Sequence, residues 1–493
     1  MMKKMNIIGC LFYGIFLLSC NSWLDLKPYG EVEADKMFED EQGFIQTLTG
    51  SYVLLTDPTA YGYELTAGFP DEIVHYWKER SEFYHFDYEN MDVESRLDAT
   101  WSQMYKAIAN TNLVLDYLEG KTPDDLEYYN LIRGEALGLR AYLHLDLLRL
   151  YGPVLKEAGT DVRSIPYHET FSNQIVQMMP AGEVLSRIQR DLDSAYVLLK
   201  DDPIKVYGRD ETKEEFAEVE APEVKGLAFS FRGCRMNYYA VCATLARLYL
   251  LKDDYTNALK YASEVIDDGK DIFEFVRRGD VSSSEKRDRM FERELIWALY
   301  DSKTDEHLSK TVGNADHALD NLFQDYVYQD GRGYGSEEDY RTNYWFANTN
   351  ATPNYWYLCK YERKFAPGGE TDETPWKTVV PLIRLSEMYF IAAEANLATN
   401  PAEAYRLLNQ VRAARNLPAL PTSLEHDGGA LRDQLVYECQ KEYWGEGKLF
   451  YFNKRLFLNI QTREENIPAT RAIYELPVPV DEIEFGDNNN KMK

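Results

Sequence analysis

Aromatic side chains are the residues of this chain whose types and spacing best suit ligand binding. They cluster as Tyr76-Trp77 beside Lys78 and Arg80, as Tyr340-Arg341 through Asn343-Tyr344-Trp345, and as Tyr355-Trp356-Tyr357. A flat ring covers the apolar C–H face of a sugar, while amide and guanidinium groups hydrogen-bond its hydroxyls. Covering ~40 Å² contributes about 1 kcal/mol, so even weak binding of an oligosaccharide needs two or three such rings.

The ligand-binding residues are therefore predicted to be Tyr76, Trp77, Arg341, Asn343, Tyr344, Trp345 and Trp356. We expect at least one of the three tryptophans in this set to contact the ligand. The alternative is that these rings anchor long loops on the rest of the protein, which long ordered loops require in any case. Trp101 and Trp444 lie in helical segments and are predicted to be core residues.

The alternative function is catalysis, as a glycoside hydrolase, and the sequence contains few features that support it. A glycosidase needs two carboxylates at a defined separation, and no feature isolates such a pair among 82 acidic residues. The chain contains no GxSxG, no GxxxxGK phosphate loop, no CxxC and no HExxH. The acidic stretch 330–339 lacks the spacing of a calcium-binding EF-hand, which favours a solvated loop. We predict no catalytic residues, no metal and no cofactor.

The charge balance limits the partners. The 493 residues include 54 Lys and Arg against 82 Asp and Glu, for a formal charge of −28. Nucleic-acid binding depends on clustered basic residues that displace counterions, so it is excluded as a function. The same charge discourages polyanionic ligands unless a local basic patch exists, for which Lys360, Arg363 and Lys364 are the nearest candidates.

The N-terminus is a targeting segment. Lys3 and Lys4 precede a mainly apolar stretch over 7–18, which is too short to span ~30 Å of hydrocarbon but suits a signal peptide. The stretch ends in Leu17-Leu18-Ser19-Cys20, which resembles a bacterial lipobox. We predict that residues 1–19 are removed and that Cys20 is lipidated, anchoring the protein to a membrane. The alternative is an ordinary secretory peptide.

The elements that must position the aromatic clusters are mostly helices. Apolar residues at three- and four-residue spacing predict helices over 97–119, 126–151, 181–200, 236–252, 255–268, 382–398, 402–415 and 430–443. Ala246, Tyr249 and Ala258 follow the spacing of a tetratricopeptide repeat, in which small residues let two paired helices pack closely. Ala392, Ala395 and Ala404 give a second match, and two generic helical hairpins are the alternative.

Seven short motifs, in order along the chain, resemble the SusD/RagB family of outer-membrane nutrient-binding lipoproteins. The motifs are Cys20-Asn21-Ser22-Trp23 through Pro28; Trp101, Tyr105, Ile108 and Asn112; Arg140-Ala141-Tyr142 through Gly152-Pro153; Arg384-Leu385-Ser386-Glu387 through Glu394-Ala395; Asn409-Gln410-Val411-Arg412; Glu442 through Glu446-Gly447 with Phe450 to Arg455; and Leu476-Pro477-Val478-Pro479 with Glu482. Lys448-Leu449 replace the usual His-Arg pair and Asn453 replaces a common Asp. These departures bear on the local salt-bridge pattern and not on the fold.

The resemblance implies a mainly α protein, a scaffold of about four tetratricopeptide-like helical pairs with a large loop-rich ligand-binding region. It divides the chain into the signal peptide 1–19, an N-terminal half 20–235 and a C-terminal half 236–493, the two halves forming one compact unit. It also implies a lipid-anchored protein on the outer-membrane surface that binds a glycan and delivers it to a SusC-type TonB-dependent channel. In some members of the family the ligand is a peptide, and that alternative stays open here.

Overall fold

The computed structural model describes residues 36–77, 81–209, 230–282, 287–309, 317–328, 334–349, 352–361 and 378–486. The predicted signal peptide, Cys20, and the basic residues Lys78, Arg80, Arg363 and Lys364 lie outside these ranges. Most of the described chain is helical. The helices are α1 (Glu41–Leu55), α2 (Glu64–Ala67), α3 (Phe69–Ile73), α4 (Met91–Leu118), α5 (Tyr129–Tyr151), α6 (Leu155–Ala158), α7 (Ala181–Leu198), α8 (Ile204–Tyr207), α9 (Tyr238–Leu251), α10 (Tyr255–Asp268), α11 (Arg278–Ser282), α12 (Asn321–Tyr328), α13 (Tyr340–Trp345), α14 (Leu385–Asn396), α15 (Pro401–Ala414), α16 (Gly428–Glu442), α17 (Lys448–Leu456), α18 (Arg471–Tyr474) and α19 (Val480–Gly486).

Short polar side chains set the starts of several long helices. Asp40 caps α1 by accepting a hydrogen bond from the backbone N–H of Gly43, and Asn237 caps α9 in the same way through Ala240. Asp254 accepts from Asn257 and begins α10 only a few residues after α9 ends. Such caps satisfy backbone donors that the first helical turn leaves unpaired.

Four helical pairs form the scaffold, as predicted. α1 packs on α4, α5 on α7, α9 on α10, and α14 on α15, while α4–α5, α7–α9 and α10–α14 contacts join successive pairs. The small residues of the predicted repeat register are at the contacts: Ala246, Ala258, Ala392 and Ala404 are all buried. The tetratricopeptide-like, mainly α fold is therefore confirmed.

The described ranges contain three small antiparallel sheets, which were not predicted. In the first sheet, β1 (Leu295–Tyr300) pairs with β5 (Val379–Arg384). The second sheet has three strands in the order β2 (Leu319–Asp320), β4 (Thr352–Leu358) and β3 (Phe346–Thr349). In the third, β6 (Ile460–Gln461) pairs with β7 (Asn466–Ile467). The helix predicted from residue 382 begins at Leu385 because the preceding residues belong to β5. Pro381 lies inside β5, and a strand with a single partner tolerates proline.

None of the helices within the described ranges combines the length and the hydropathy that a membrane crossing requires.

Candidate functional site

The predicted ligand residues near position 345 lie on α13 and on the hairpin that follows it. Asp339 caps α13 by accepting a hydrogen bond from the backbone N–H of Arg341, 2.9 Å away. β3 begins directly after Trp345, and β4 returns antiparallel to it with Phe346 opposite Leu358. The connection brings α13 and the three consecutive aromatic residues of β4 into one substructure.

Three of the predicted ring platforms are buried. Trp77 donates its indole N–H to the carbonyl oxygen of Ala67 at 2.9 Å, and Trp345 donates to the carbonyl oxygen of Arg289 at 2.7 Å. Tyr76 stacks on Trp444, with 3.7 Å between ring centroids, and its hydroxyl donates to the carbonyl oxygen of Gln440. These rings are at most 3% exposed and have no free face for a sugar in this structure. They act as anchors, which is the alternative that the sequence left open.

Arg341 and Lys360 are also buried, which rules them out as surface groups for a ligand in this structure. The Arg341 guanidinium forms ion pairs with Asp339, Glu438 and Glu442 at 2.7–3.0 Å. Lys360 forms an ion pair with Glu446 and lies 4.2 Å from the centroid of the Trp345 ring. Lys360 was a candidate for a basic surface patch, but the structure places it in an internal ion pair. In both cases a carboxylate partner offsets the cost of removing the cation from water.

The remaining predicted residues are accessible. Tyr344 is half-buried, and the guanidinium carbon of Arg287 lies 5.2 Å from its ring centroid. Asn343 is exposed and donates its side-chain N–H to the carbonyl oxygen of Glu337 at 3.0 Å. Trp356 is half-buried on β4. Ligand binding by these three residues stays a prediction.

Tyr355, Trp356 and Tyr357, here called the aromatic strand, are consecutive residues of β4. Side chains of a strand alternate between its faces, so Trp356 shares a face with Leu358 while the two tyrosines share the other. Leu358 is buried, and a methyl group at Gly445 would lie 2.6 Å from it, so that face rests partly on the segment before α17. All three rings of the aromatic strand are half-buried, which leaves part of each on the surface.

A buried ion-pair network holds this substructure in place. We use that name for Glu294, Glu438, Glu442 and Glu446 with Arg341, Arg384, Arg412, Arg415 and Lys360, whose side chains are at most 1% exposed. Glu442 lies at its centre and accepts from Arg341 at 3.0 Å and from Arg384 and Arg415 at 2.5 Å. The network joins α13, β5, α15 and α16, and through Lys360 it fixes the end of β4.

The charges of the network shift the pKa values of its carboxylates. Burial alone raises the pKa of Glu442, but the nearby Arg415 and Arg384 outweigh this effect and hold it well below its usual value. The same balance, set against Lys441 and Arg341, lowers the pKa of Glu438 to about 2. These glutamates are therefore ionised throughout the neutral range. The motif that contains Glu442 and Glu446 was the one sequence signal that pointed to glutamates of the network.

No cluster of three or more His, Cys, Asp or Glu side chains within the described ranges is placed to hold a metal ion. The acidic stretch 330–339 is described only from residue 334, and its last residue, Asp339, is the partner of Arg341.

Comparisons with known proteins match nearly the whole chain. A family model described as "Starch-binding associating with outer membrane" matches residues 22–219, and a model described as "SusD family" matches residues 239–482. A SusD superfamily protein from Bacteroides thetaiotaomicron is 21% identical with a TM-score of 0.68, covering 91% of this chain and 98% of its own. A SusD-like carbohydrate binding protein from Bacteroides vulgatus is 18% identical with a TM-score of 0.67, covering 91% and 97%. No curated protein sequence matches the chain. At these identities the solved structures share the fold with this chain.

Proposed function

Since the chain belongs to the SusD/RagB family, we propose that it is a lipid-anchored protein of the outer-membrane surface that binds a glycan and delivers it to a SusC-type TonB-dependent channel. The description of the matching family model, starch-binding and associated with the outer membrane, supports the ligand class and the compartment. The carbohydrate-binding name of a similar solved structure supports the same ligand class.

The aromatic strand is the observation that carries the proposal. It offers partly exposed rings on both faces of β4, Tyr355 and Tyr357 on one and Trp356 on the other, where Trp356 also packs partly against the core. Tyr344 and the exposed amide of Asn343 lie on the neighbouring α13. Stacking on each ring contributes about 1 kcal/mol, so several rings together are required for oligosaccharide affinity. Amide groups such as that of Asn343 supply directional hydrogen bonds to hydroxyls.

The geometry of β4 favours a glycan over a peptide. An extended peptide commonly binds by pairing with a free strand edge. Tyr355 and Trp356 already pair with β2, while Tyr357 pairs with β3 on the other side. The aromatic strand therefore has a partner strand on each edge. Its backbone is not available to pair with a peptide, whereas parts of its rings are accessible to a ligand.

We predict that Trp356→Ala weakens glycan binding at least tenfold, equivalent to about 1.4 kcal/mol, because it removes the largest ring of the aromatic strand. Binding is measured by calorimetry on residues 21–493, which contain every described residue, against a panel of oligosaccharides and a mixed peptide pool. Tyr344→Ala is run beside it and is expected to weaken binding less.

Phe171→Ala is the matched control, because Phe171 is 54% exposed and lies in the loop before α7. An equal loss in Phe171→Ala and Trp356→Ala would contradict a site on the aromatic strand. Binding of peptides with every glycan inert would move the function to peptide capture.

Lipid anchoring is tested separately with Cys20→Ala. We expect wild-type protein in the native host to incorporate labelled fatty acid and to sediment with membranes, because several acyl chains hold a protein stably on a bilayer. The variant is expected to lose the label and to appear in the soluble fraction. Retention of the variant on membranes without a label would contradict Cys20 as the anchor.

A further inference from the structure

A cavity of about 410 Å³ lies within the helical scaffold, and none of its lining residues belongs to α13 or to the aromatic strand. It is formed where the end of α5, the start of α7 and the end of α9 meet α14 and α17. Its volume is within the range of pockets that bind small molecules, roughly 300–1,000 Å³. No part of the proposed glycan site uses it.

The lining of this cavity reverses the charge balance of the chain. Seven of its lining side chains are Lys or Arg and three are Asp or Glu, whereas acidic residues outnumber basic ones by 82 to 54 overall. α17 supplies three of the seven basic side chains, Lys448, Lys454 and Arg455. Lys448, Tyr451 and Arg455 recur at three- and four-residue spacing and so share one face of this helix.

Some of these cations are neutralised within the protein, and others are not. Arg247 and Arg455 form two-point ion pairs with Glu387 and Glu394 on α14. Two more of the lining cations are paired as well, Arg149 with Asp146 and Lys448 with Glu446. Lys454 instead donates to the carbonyl oxygens of Leu150 and Gly152, at 2.7 and 2.8 Å.

Lys156 likewise donates to a backbone carbonyl oxygen, at 3.0 Å. Within the part of the chain that the structure describes, neither lysine forms an ion pair with a carboxylate within 4.0 Å. Lys156 is exposed to solvent, and Glu475 acts on Lys454 only from a longer distance. Lys454 is 4% exposed, and this burial lowers its pKa to about 7.

Two further donors in the lining lack a partner. The hydroxyl of Tyr451 and the Nε–H of Arg149 are both buried and make no hydrogen bond to any described residue. Leaving such a group unpaired costs about 1–3 kcal/mol, so a bound acceptor would recover that free energy. The Arg149 guanidinium carbon lies 4.2 Å from the centroid of the Tyr451 ring, so the two donors belong to side chains in direct contact. Leu148, Phe390 and Phe452 form an apolar part of the cavity lining.

From these contacts we infer that the cavity binds a small molecule with a carboxylate or phosphate group and an apolar face. Its oxyanion accepts hydrogen bonds from Tyr451 and Arg149 beside the charge of Lys454, and its apolar face lies against the leucine and phenylalanine side chains. The inference is independent of glycan capture at the aromatic strand.

Calorimetry on residues 21–493 tests it with two probes, sodium glucuronate for the carboxylate and inorganic phosphate for the phosphate. We expect at least one probe to bind wild type with a Kd below about 1 mM. Tyr451→Phe is expected to weaken that probe about tenfold, because it removes one hydrogen bond to a charged group, while the melting temperature stays within a degree or two or rises. Lys454→Met is expected to weaken it further.

Lys106→Met is the control, because it removes an exposed positive charge from α4 outside the cavity and is expected to leave the Kd unchanged. If Lys454→Met does not fold, Tyr451→Phe decides the question, because the hydroxyl it removes has no partner among the described residues. Absence of heat from both probes at about 10 mM overturns the inference. So does binding that Tyr451→Phe leaves unchanged.

Discussion

Glu442→Ala is expected to lower the free energy of unfolding by about 3–5 kcal/mol, one of the largest effects of any single substitution in this chain. Glu442 is fully buried and accepts from Arg341, Arg384 and Arg415. Its removal leaves three buried guanidinium groups short of a carboxylate, and an uncompensated buried charge is far more costly than the ion pair is stabilising. Urea-induced unfolding followed by far-UV circular dichroism measures the change.

The control for Glu442→Ala is Glu403→Ala, which breaks an ion pair with Arg406 on the surface of α15. Because solvent screens exposed pairs, we expect that variant to lose no more than about 1 kcal/mol. Equal losses of unfolding free energy in the two variants would show that the buried ion-pair network contributes no more to stability than an exposed ion pair does.

The network also sets the response to acid. The folded-state pKa values of Glu438 and Glu442 are depressed, so their stabilising contribution is complete above the unfolded-state value of 4.5 and is lost as the pH falls below it. Wild type is therefore expected to lose stability steeply from about pH 5 towards about pH 2. Glu442→Gln, which cannot ionise, is expected to show a shallower decline over the same interval.

Gly447→Ala is the second substitution with a large expected effect, about 2–5 kcal/mol of destabilisation. Gly447 has a φ of +63°, and an added Cβ would lie 2.3 Å from the carbonyl oxygen of Leu65. The left-handed backbone costs alanine roughly 1–2 kcal/mol, and relieving the overlap with a fixed backbone atom accounts for the rest. The midpoint of thermal unfolding measures the loss.

Gly279→Ala is the matched control for Gly447→Ala, because Gly279 lies in α11 and an added Cβ meets no atom within 4 Å. We expect it to be neutral or to stabilise the protein by up to about 1 kcal/mol. A Gly447→Ala variant as stable as Gly279→Ala would mean that the backbone at residue 447 is not constrained as the structure shows.

The long helices were predictable because their pattern is local. The helix predicted over 255–268 has those bounds, and the one predicted over 181–200 ends at Leu198. α1 was not predicted, although Asp40 caps it and Phe44, Leu48 and Leu55 are buried along it. β1 and β5 were not predicted, because a short apolar run is compatible with either a strand or a buried helix.

The state of the aromatic residues was not predictable, because exposure depends on partners far away in the chain. The sequence around Tyr76-Trp77 resembles that around Tyr355-Trp356, yet Trp444 covers the first pair while the second pair remains partly on the surface. Arg341 gave no local sign of burial either, because two of its three carboxylate partners are about a hundred residues away, in α16.

The contact of Tyr76 with the segment around Trp444 has a consequence for biosynthesis. The Tyr76 hydroxyl and its acceptor at Gln440 are separated by 364 residues, so this part of the core stays open until nearly the whole chain exists. At about 5–20 residues per second, translation leaves the N-terminal rings uncovered for roughly 20–70 s. A chain that stops before residue 440 lacks both the hydrogen-bond acceptor at Gln440 and the covering ring of Trp444, so we expect it to leave Tyr76 and Trp77 uncovered.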